Sequence, residues 1–171
     1  MPHIVVRGLS RASAHGKLHI GPVNFPCALG RSGRGNKGGE GDGFTPVGRW
    51  RARQALYRPD RGRRPHTALP LTPITAHMGW SDAPGDANYN RPVSLPYARS
   101  HERLWREDHL YDLVIILGFN DMPRCQGRGS AIFMHLARPE YTPTEGCIAL
   151  CVDHMRYLMR VIRPQQSILI E

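Results

Sequence analysis

Apolar residues along this chain come in short bursts broken by turn-formers, and the pattern predicts a domain built mainly from strands. Ile4–Val6 and Lys17–Cys27 read as the first strands, the second running into Phe25-Pro26-Cys27-Ala28-Leu29. A glycine-dense loop follows from Gly30 to Gly43. Alternation in Gly48-Arg49-Trp50-Arg51-Ala52-Arg53 suits a half-exposed strand. Pro65 to Arg99 is rich in turn signals without a clear period, and reads as a long irregular excursion, the kind of loop that often wraps a site. Ser100 to Asp108 reads as a short helix capped by Ser100, with Arg103 and Arg106 opposite Leu104. Tyr111 to Phe119, with the unbroken run Leu113-Val114-Ile115-Ile116-Leu117, is the strongest buried strand, and Ser130 to Leu136 is a second. Val152 to Ile162 places Met155, Leu158, Met159 and Ile162 at helical spacing, and Ser167–Ile170 forms a closing strand. No repeat and no linker appears, so the 171 residues are expected to form one mainly β domain with minor α content.

Composition strengthens the β reading: 18 Gly and 15 Pro favour turns and short strands over long helices. No segment approaches the roughly 18 unbroken apolar residues of a membrane span. The formal charge of +9 is mostly arginine, concentrated at Arg49, Arg51, Arg53, Arg58, Arg61, Arg63 and Arg64. Such a patch attracts an anionic polymer. The zinc-finger, helix-turn-helix and aromatic RNA-binding patterns that accompany nucleic-acid recognition are missing, so no nucleic acid is expected as partner. The start, Met1-Pro2-His3 leading into Ile4-Val5-Val6, has no signal-peptide pattern.

The four cysteines, Cys27, Cys125, Cys147 and Cys151, form no C-x-x-C pair, which disfavours a zinc ribbon or a thioredoxin-like centre. Cys147 and Cys151 are four apart, a spacing that one helical turn could bring face to face. A set of His135, Cys147 and Cys151 lacks a convincing fourth metal ligand, so neither metal nor cofactor is expected. The glycine-dense loop lacks the Gly-Lys-Ser/Thr ending of a phosphate cradle, which leaves a flexible hairpin or lid.

Nucleophilic chemistry is the remaining option. A catalytic cysteine needs a base and amide donors for the oxyanion formed on attack. Thr144-Glu145-Gly146-Cys147 supplies a glycine that lets the backbone turn sharply, and the amides of Gly146 and Cys147 form a candidate oxyanion pair. His135, at the end of Ala131-Ile132-Phe133-Met134, is the candidate base. On spacing alone, a small core cysteine and a satisfied core histidine explain the two residues as well.

Gly129-Ser130-Ala131-Ile132-Phe133-Met134-His135, followed by Thr144-Glu145-Gly146-Cys147-Ile148-Ala149-Leu150, resembles the signature of the L,D-transpeptidase (YkuD-type) family, a histidine, a spacer and Ser/Thr-His-Gly-Cys. Ala28-Leu29-Gly30, Glu40-Gly41-Asp42-Gly43 with Thr45-Pro46 and Gly48, Tyr89-Asn90 and Gly118-Phe119-Asn120 follow the same order as in short members, so the resemblance spans nearly the whole chain. It implies a mixed β-sandwich-like domain in which the histidine matching His135 activates the cysteine matching Cys147. It also implies attack on a diaminopimelate-type carbonyl of a peptidoglycan stem peptide, a thioester, and resolution by an acceptor amine. The periplasm or cell envelope is the implied location.

Three departures qualify the match. Glu145 stands where a histidine usually precedes Gly-Cys, Ala149 replaces an arginine often found two residues after the cysteine, and the spacer after His135 is short. If the missing arginine grips a carboxylate, Arg138 or Arg124 must replace it. Thr144, Glu145, Tyr89 and Asn90 are further candidates for substrate contact, and Trp80 and Tyr141 lie in loops expected to border the site. The departures fit a subgroup joining a first-position L-Ala to a third-position diaminopimelate. A hydrolase on the same scaffold, or a non-catalytic module binding anionic polymers, are the alternatives; oligomeric state is left open.

Overall fold

The computed structural model describes residues 3–171. Strand β1 (Ile4–Gly8) is followed by a hairpin of β2 (His15–Ile20) and β3 (Val23–Ala28). Sequence reading made Lys17–Cys27 one strand. The structure turns it at Gly21, whose φ of +57° suits glycine, with Pro22 next, and Ile20 pairs with Val23. Two-residue strands β4 (Arg34–Gly35) and β5 (Thr45–Pro46) pair across the glycine-dense loop, and β6 (Gly48–Tyr57) is the longest strand.

The stretch expected to be an irregular excursion contains β7 (Leu71–Pro73), β8 (Met78–Ser81) and β9 (Pro92–Ser94). Strands of three or four residues are too short to leave a period in the sequence. The helix expected over Ser100–Asp108 is absent, and β10 (His101–Arg103) pairs with β8 in its place. That helix's two apolar residues, Leu104 and Trp105, are adjacent and give no helical stripe, whereas the edge of β8 offers a ladder to β10. Then come β11 (Leu113–Leu117), β12 (Phe133–Leu136), a 3₁₀ turn over Pro139–Tyr141, β13 (Ile148–Leu150), helix α1 (Val152–Val161) and β14 (Ser167–Ile170). Cys147 precedes β13 and Cys151 is the N-cap of α1, so the two do not share a helical turn.

Nine strands form the main sheet in the order β11-β12-β13-β3-β2-β1-β14-β6-β7, and β11 also pairs with β6. The sheet therefore closes on itself. Its narrowest joint is β13 with β3, held by the single register pair Ala149–Ala28. Strands β10-β8-β9 form a separate small sheet.

The unbroken apolar run of β11 is explained by two cores. Leu113, Ile115 and Leu117 face an inner core with Val6, Leu18, Met134 and the α1 residues Met155, Leu158 and Met159. Val114 and Ile116 face a second core, with Leu56, Ile74, Trp80, Leu104, Tyr111 and Phe133. A strand buried on both faces has no polar alternation to show. Burying each such side chain stabilises by about 1.5–3 kcal/mol. β12 divides likewise, with Met134 inward and Phe133 in the second core, against which Cys147 also packs.

Candidate active site

His135 and Cys147 stand on adjacent parallel strands or their ends. Met134 pairs with Ile148 and His135 with Ala149, which puts Cys147 beside Phe133, one step before the ladder begins. The Cys147 thiol donates to the Ala131 carbonyl at 3.2 Å, and its sulfur accepts from the Phe133 amide at 3.3 Å. Ala131 has a φ of +53°, a costly conformation for a non-glycine residue, and its amide donates to Asn90 Oδ1 at 3.1 Å. That bond holds the carbonyl that receives the thiol.

The imidazole of His135 is buried, its Nδ1 2.8 Å from the Leu136 carbonyl oxygen. A carbonyl oxygen only accepts, so Nδ1 carries the proton and Nε2 presents a lone pair. The ring packs edge-on to Tyr111 with centroids 5.4 Å apart. No hydrogen bond joins imidazole to thiol, but both line one pocket of about 360 Å³. Burial pushes the thiol up to about 12 and the imidazole down to about 4, so both are neutral at rest. The arrangement suits proton transfer in concert with attack rather than a standing thiolate–imidazolium pair.

Thr144 ties down the segment carrying Cys147. Its amide donates to the Leu29 carbonyl at 2.9 Å, its carbonyl accepts from the Arg31 amide at 2.8 Å, and its hydroxyl donates to the Cys147 carbonyl at 2.6 Å. The same hydroxyl accepts from the Gly146 amide at 3.1 Å. Of the expected oxyanion donors, Gly146 is thus engaged, and the Cys147 amide has no acceptor among the described residues. Gly146 has a φ of +136°, and a Cβ there would meet the Phe44 carbonyl oxygen at 2.8 Å, so no other residue fits.

The glycine-dense loop is neither a phosphate cradle nor loose. Asp42 gathers it, accepting from Lys37 Nζ at 2.6 Å and from the amides of Gly38, Gly39 and Phe44. Lys37 is thereby buried beside Gly146, its side chain 3% exposed.

The other expected contacts separate. Arg138, Thr144 and Glu145 line the His135 pocket, where Glu145 is exposed and paired with Arg31 at 3.0 Å. Tyr89 and Asn90 are buried away from it. Tyr89 donates to Glu40, and Asn90 bonds Trp80, Ala131 and the carbonyls of Phe119 and Asn120. Arg124 spends its guanidinium on the carbonyls of Tyr89 and Ala87. Trp80 belongs to the second core, and Tyr141 is half-buried in the 3₁₀ turn.

Sequence reading missed Arg106, Glu102 and Tyr111, which line the same pocket. Arg106 lies over the Tyr111 ring, 5.1 Å from its centroid, and pairs with Asp108 at 2.5 Å, while Arg138 reaches Asp108 at 3.5 Å. Tyr111 donates to Glu102 at 2.6 Å. The pairing of β10 with β8 carries Glu102 here, and Arg106 follows in the turn after it; no local sequence signal announces either.

A family model, YkuD, the L,D-transpeptidase catalytic domain, matches residues 18–170. No curated protein and no solved structure matches the chain.

Proposed function

Because the chain belongs to the L,D-transpeptidase catalytic-domain family, we propose that it cross-links peptidoglycan stem peptides through a thioester on Cys147. The observation that carries this reading is the contact of His135 Nδ1 with the Leu136 carbonyl, which leaves Nε2 as the unprotonated ring nitrogen, on a residue that lines one pocket with Cys147. As sulfur attacks the donor carbonyl, the thiol proton passes to Nε2. His135 then returns it to the departing amine, and the acyl group stays on sulfur. An acceptor amine attacks the thioester, a peptide bond forms, and the thiol is restored. The Cys147 amide donates to the developing oxyanion, aided by the nearby charge of Lys37.

Arg106 and Arg138 rim the His135 pocket and take the place of the arginine that Ala149 replaces. They suit a substrate carboxylate, with Asp108 holding both guanidinium groups in position. This relocated grip fits altered substrate choice, as in the subgroup that joins a first-position L-Ala to a third-position diaminopimelate. A peptidoglycan substrate fits work in the periplasm or cell envelope.

Incubating purified stem-peptide muropeptides with the wild type and with Cys147→Ala tests the reading. Dimers from the wild type alone, with a Cys147 adduct seen by intact mass, are expected. Trimmed monomers without dimers would instead indicate a hydrolase, and equal dimer formation by Cys147→Ala would exclude the thioester.

A further inference from the structure

Beside the His135 pocket, and sharing Cys147, Glu102 and Glu145 with it, lies a second pocket of about 70 Å³, lined by Lys37, Glu40, Asp82, Glu102, Ser130 and Glu145 among others. Four of these are carboxylates. Glu145 is paired with Arg31, and the charge of Lys37 is matched by Asp42. Glu40, Asp82 and Glu102 form no ion pair among the described residues; Glu40 and Glu102 each accept only a tyrosine hydroxyl there.

Two polar atoms in this wall are enclosed without a partner: Asp82 Oδ1 and the hydroxyl of Ser130, a residue only 6% exposed. Buried acceptors normally have donors, and leaving one unpaired costs about 1–3 kcal/mol. The carboxylates also feel one another: burial, then the charges of Asp82 and Glu40, raise the Glu102 carboxyl above its ordinary range. A group bringing several N–H donors and a positive charge would satisfy the unpaired atoms and relieve the repulsion together. An ammonium has three such donors. The volume is about that of two or three water molecules, room for an ammonium and the carbon beside it.

We propose that this pocket is a cation subsite for the protonated primary amine of the acceptor, held by Glu40, Asp82 and Glu102 beside the Cys147 thioester. The assignment rests on the transpeptidase reading above and deepens it. The two pockets then differ in what each alone contributes, Arg106 and Arg138 toward the donor's carboxylate and Glu40 and Asp82 toward the acceptor's ammonium, with Glu102 and Cys147 common to both. In the transfer step the ammonium gives one proton to Glu102, and the nitrogen lone pair attacks the thioester carbon. The C–N bond forms and the C–S bond breaks. The nitrogen's second proton passes through His135 to the departing sulfur, and Glu102 releases its proton to solvent.

The probe is n-butylammonium chloride at constant ionic strength, with n-butanol as the uncharged control, followed by amide chemical shifts of Ser130, Ala131 and Ile132. Saturable shifts at millimolar butylammonium are expected, with none from butanol and an affinity at least tenfold weaker in Asp82→Asn and in Glu40→Gln. Each variant's amide spectrum reports that it is folded; should one fail, the other carries the comparison. Equal shifts from butanol, no shifts at all, or undiminished affinity in the folded variants would overturn the subsite. In parallel, intact mass follows the Cys147 thioester formed from a donor tetrapeptide and the fraction captured by an added amine. That fraction should fall at least tenfold in Asp82→Asn relative to hydrolysis. Absence of any thioester in the wild type would remove the transpeptidase reading while leaving the ammonium titration to stand or fall separately.

Discussion

At the residue scale, His135 is a base kept neutral by its surroundings. Its ring is 6% exposed, and burial holds it near 4 against an ordinary value of 6.5. An unfolded chain takes up this proton as pH falls below about 6.5, whereas the folded one resists until about 4. The contribution to stability is therefore fully present above 6.5 and is lost as pH falls toward 4. It amounts to about 3 kcal/mol. Urea unfolding at several pH values should show a fall of that order across the window in the wild type, and a shallower one in His135→Gln. Parallel slopes for the two proteins would mean that the imidazole is not held neutral. Asp108 acts in a lower window: its pairing with Arg106 holds it to about 2, so what it contributes fades only below about 3.8.

At the element scale, β11 is a wall shared by two cores. Ile115 faces the inner core and Ile116 the second. Ile115→Ala and Ile116→Ala should each cost about 2–5 kcal/mol, measured as a shift in the urea midpoint at unchanged slope. A strand with one wet face would make one of the two nearly neutral. This strand was plain in the sequence because five apolar residues in a row admit little else, and α1 was plain because its apolar spacing is helical. The joined hairpin of β2 and β3 was read as one strand because Gly21-Pro22 is a minimal interruption. The strands β7 to β10 were hidden because a three-residue strand is specified by its partner's edge, not by its own period. The site divides in the same way. Cys147, His135 and Gly146 are candidates only through their ordered resemblance to a family signature, since spacing alone fits core residues equally, whereas Glu102 and Tyr111 come together in the pocket only through the tertiary structure. Asn90 was noticed for the right loop, but its side chain is occupied in holding Trp80, Ala131 and two carbonyls.

At the scale of the whole molecule, the positive charge is less of a free patch than its sequence clustering suggested. Arg53 pairs with Asp121 and Arg61 with Glu107 and Asp112, while Arg58 is buried against Asp60 and over the Trp105 ring, 3.6 Å from its centroid. Arg49, Arg51, Arg63 and Arg64 are exposed. The field reaching an anionic wall polymer comes from these and the remaining excess of +9. Screening shortens from about 10 Å at 0.1 M salt to about 3 Å at 1 M. Pelleting with insoluble peptidoglycan should therefore retain several-fold less protein at 1 M sodium chloride than at 0.1 M. Retention independent of salt would assign the attachment to uncharged contacts.

The closed ring has one narrow joint, the single register pair of β13 with β3, reinforced nearby by the bonds of Thr144 to Leu29 and Arg31. In terms of local opening free energy, this joint is where the ring parts at least cost, since few bonds must break there. β12 and β13 share three register pairs and stay together on one side of such an opening. His135 and Cys147 would then swing as one body, their mutual geometry kept, while the Leu29–Arg31 segment bonded to Thr144 draws away. The same seam that weakens the closed sheet would let the wall beside Thr144 yield without separating His135 from Cys147.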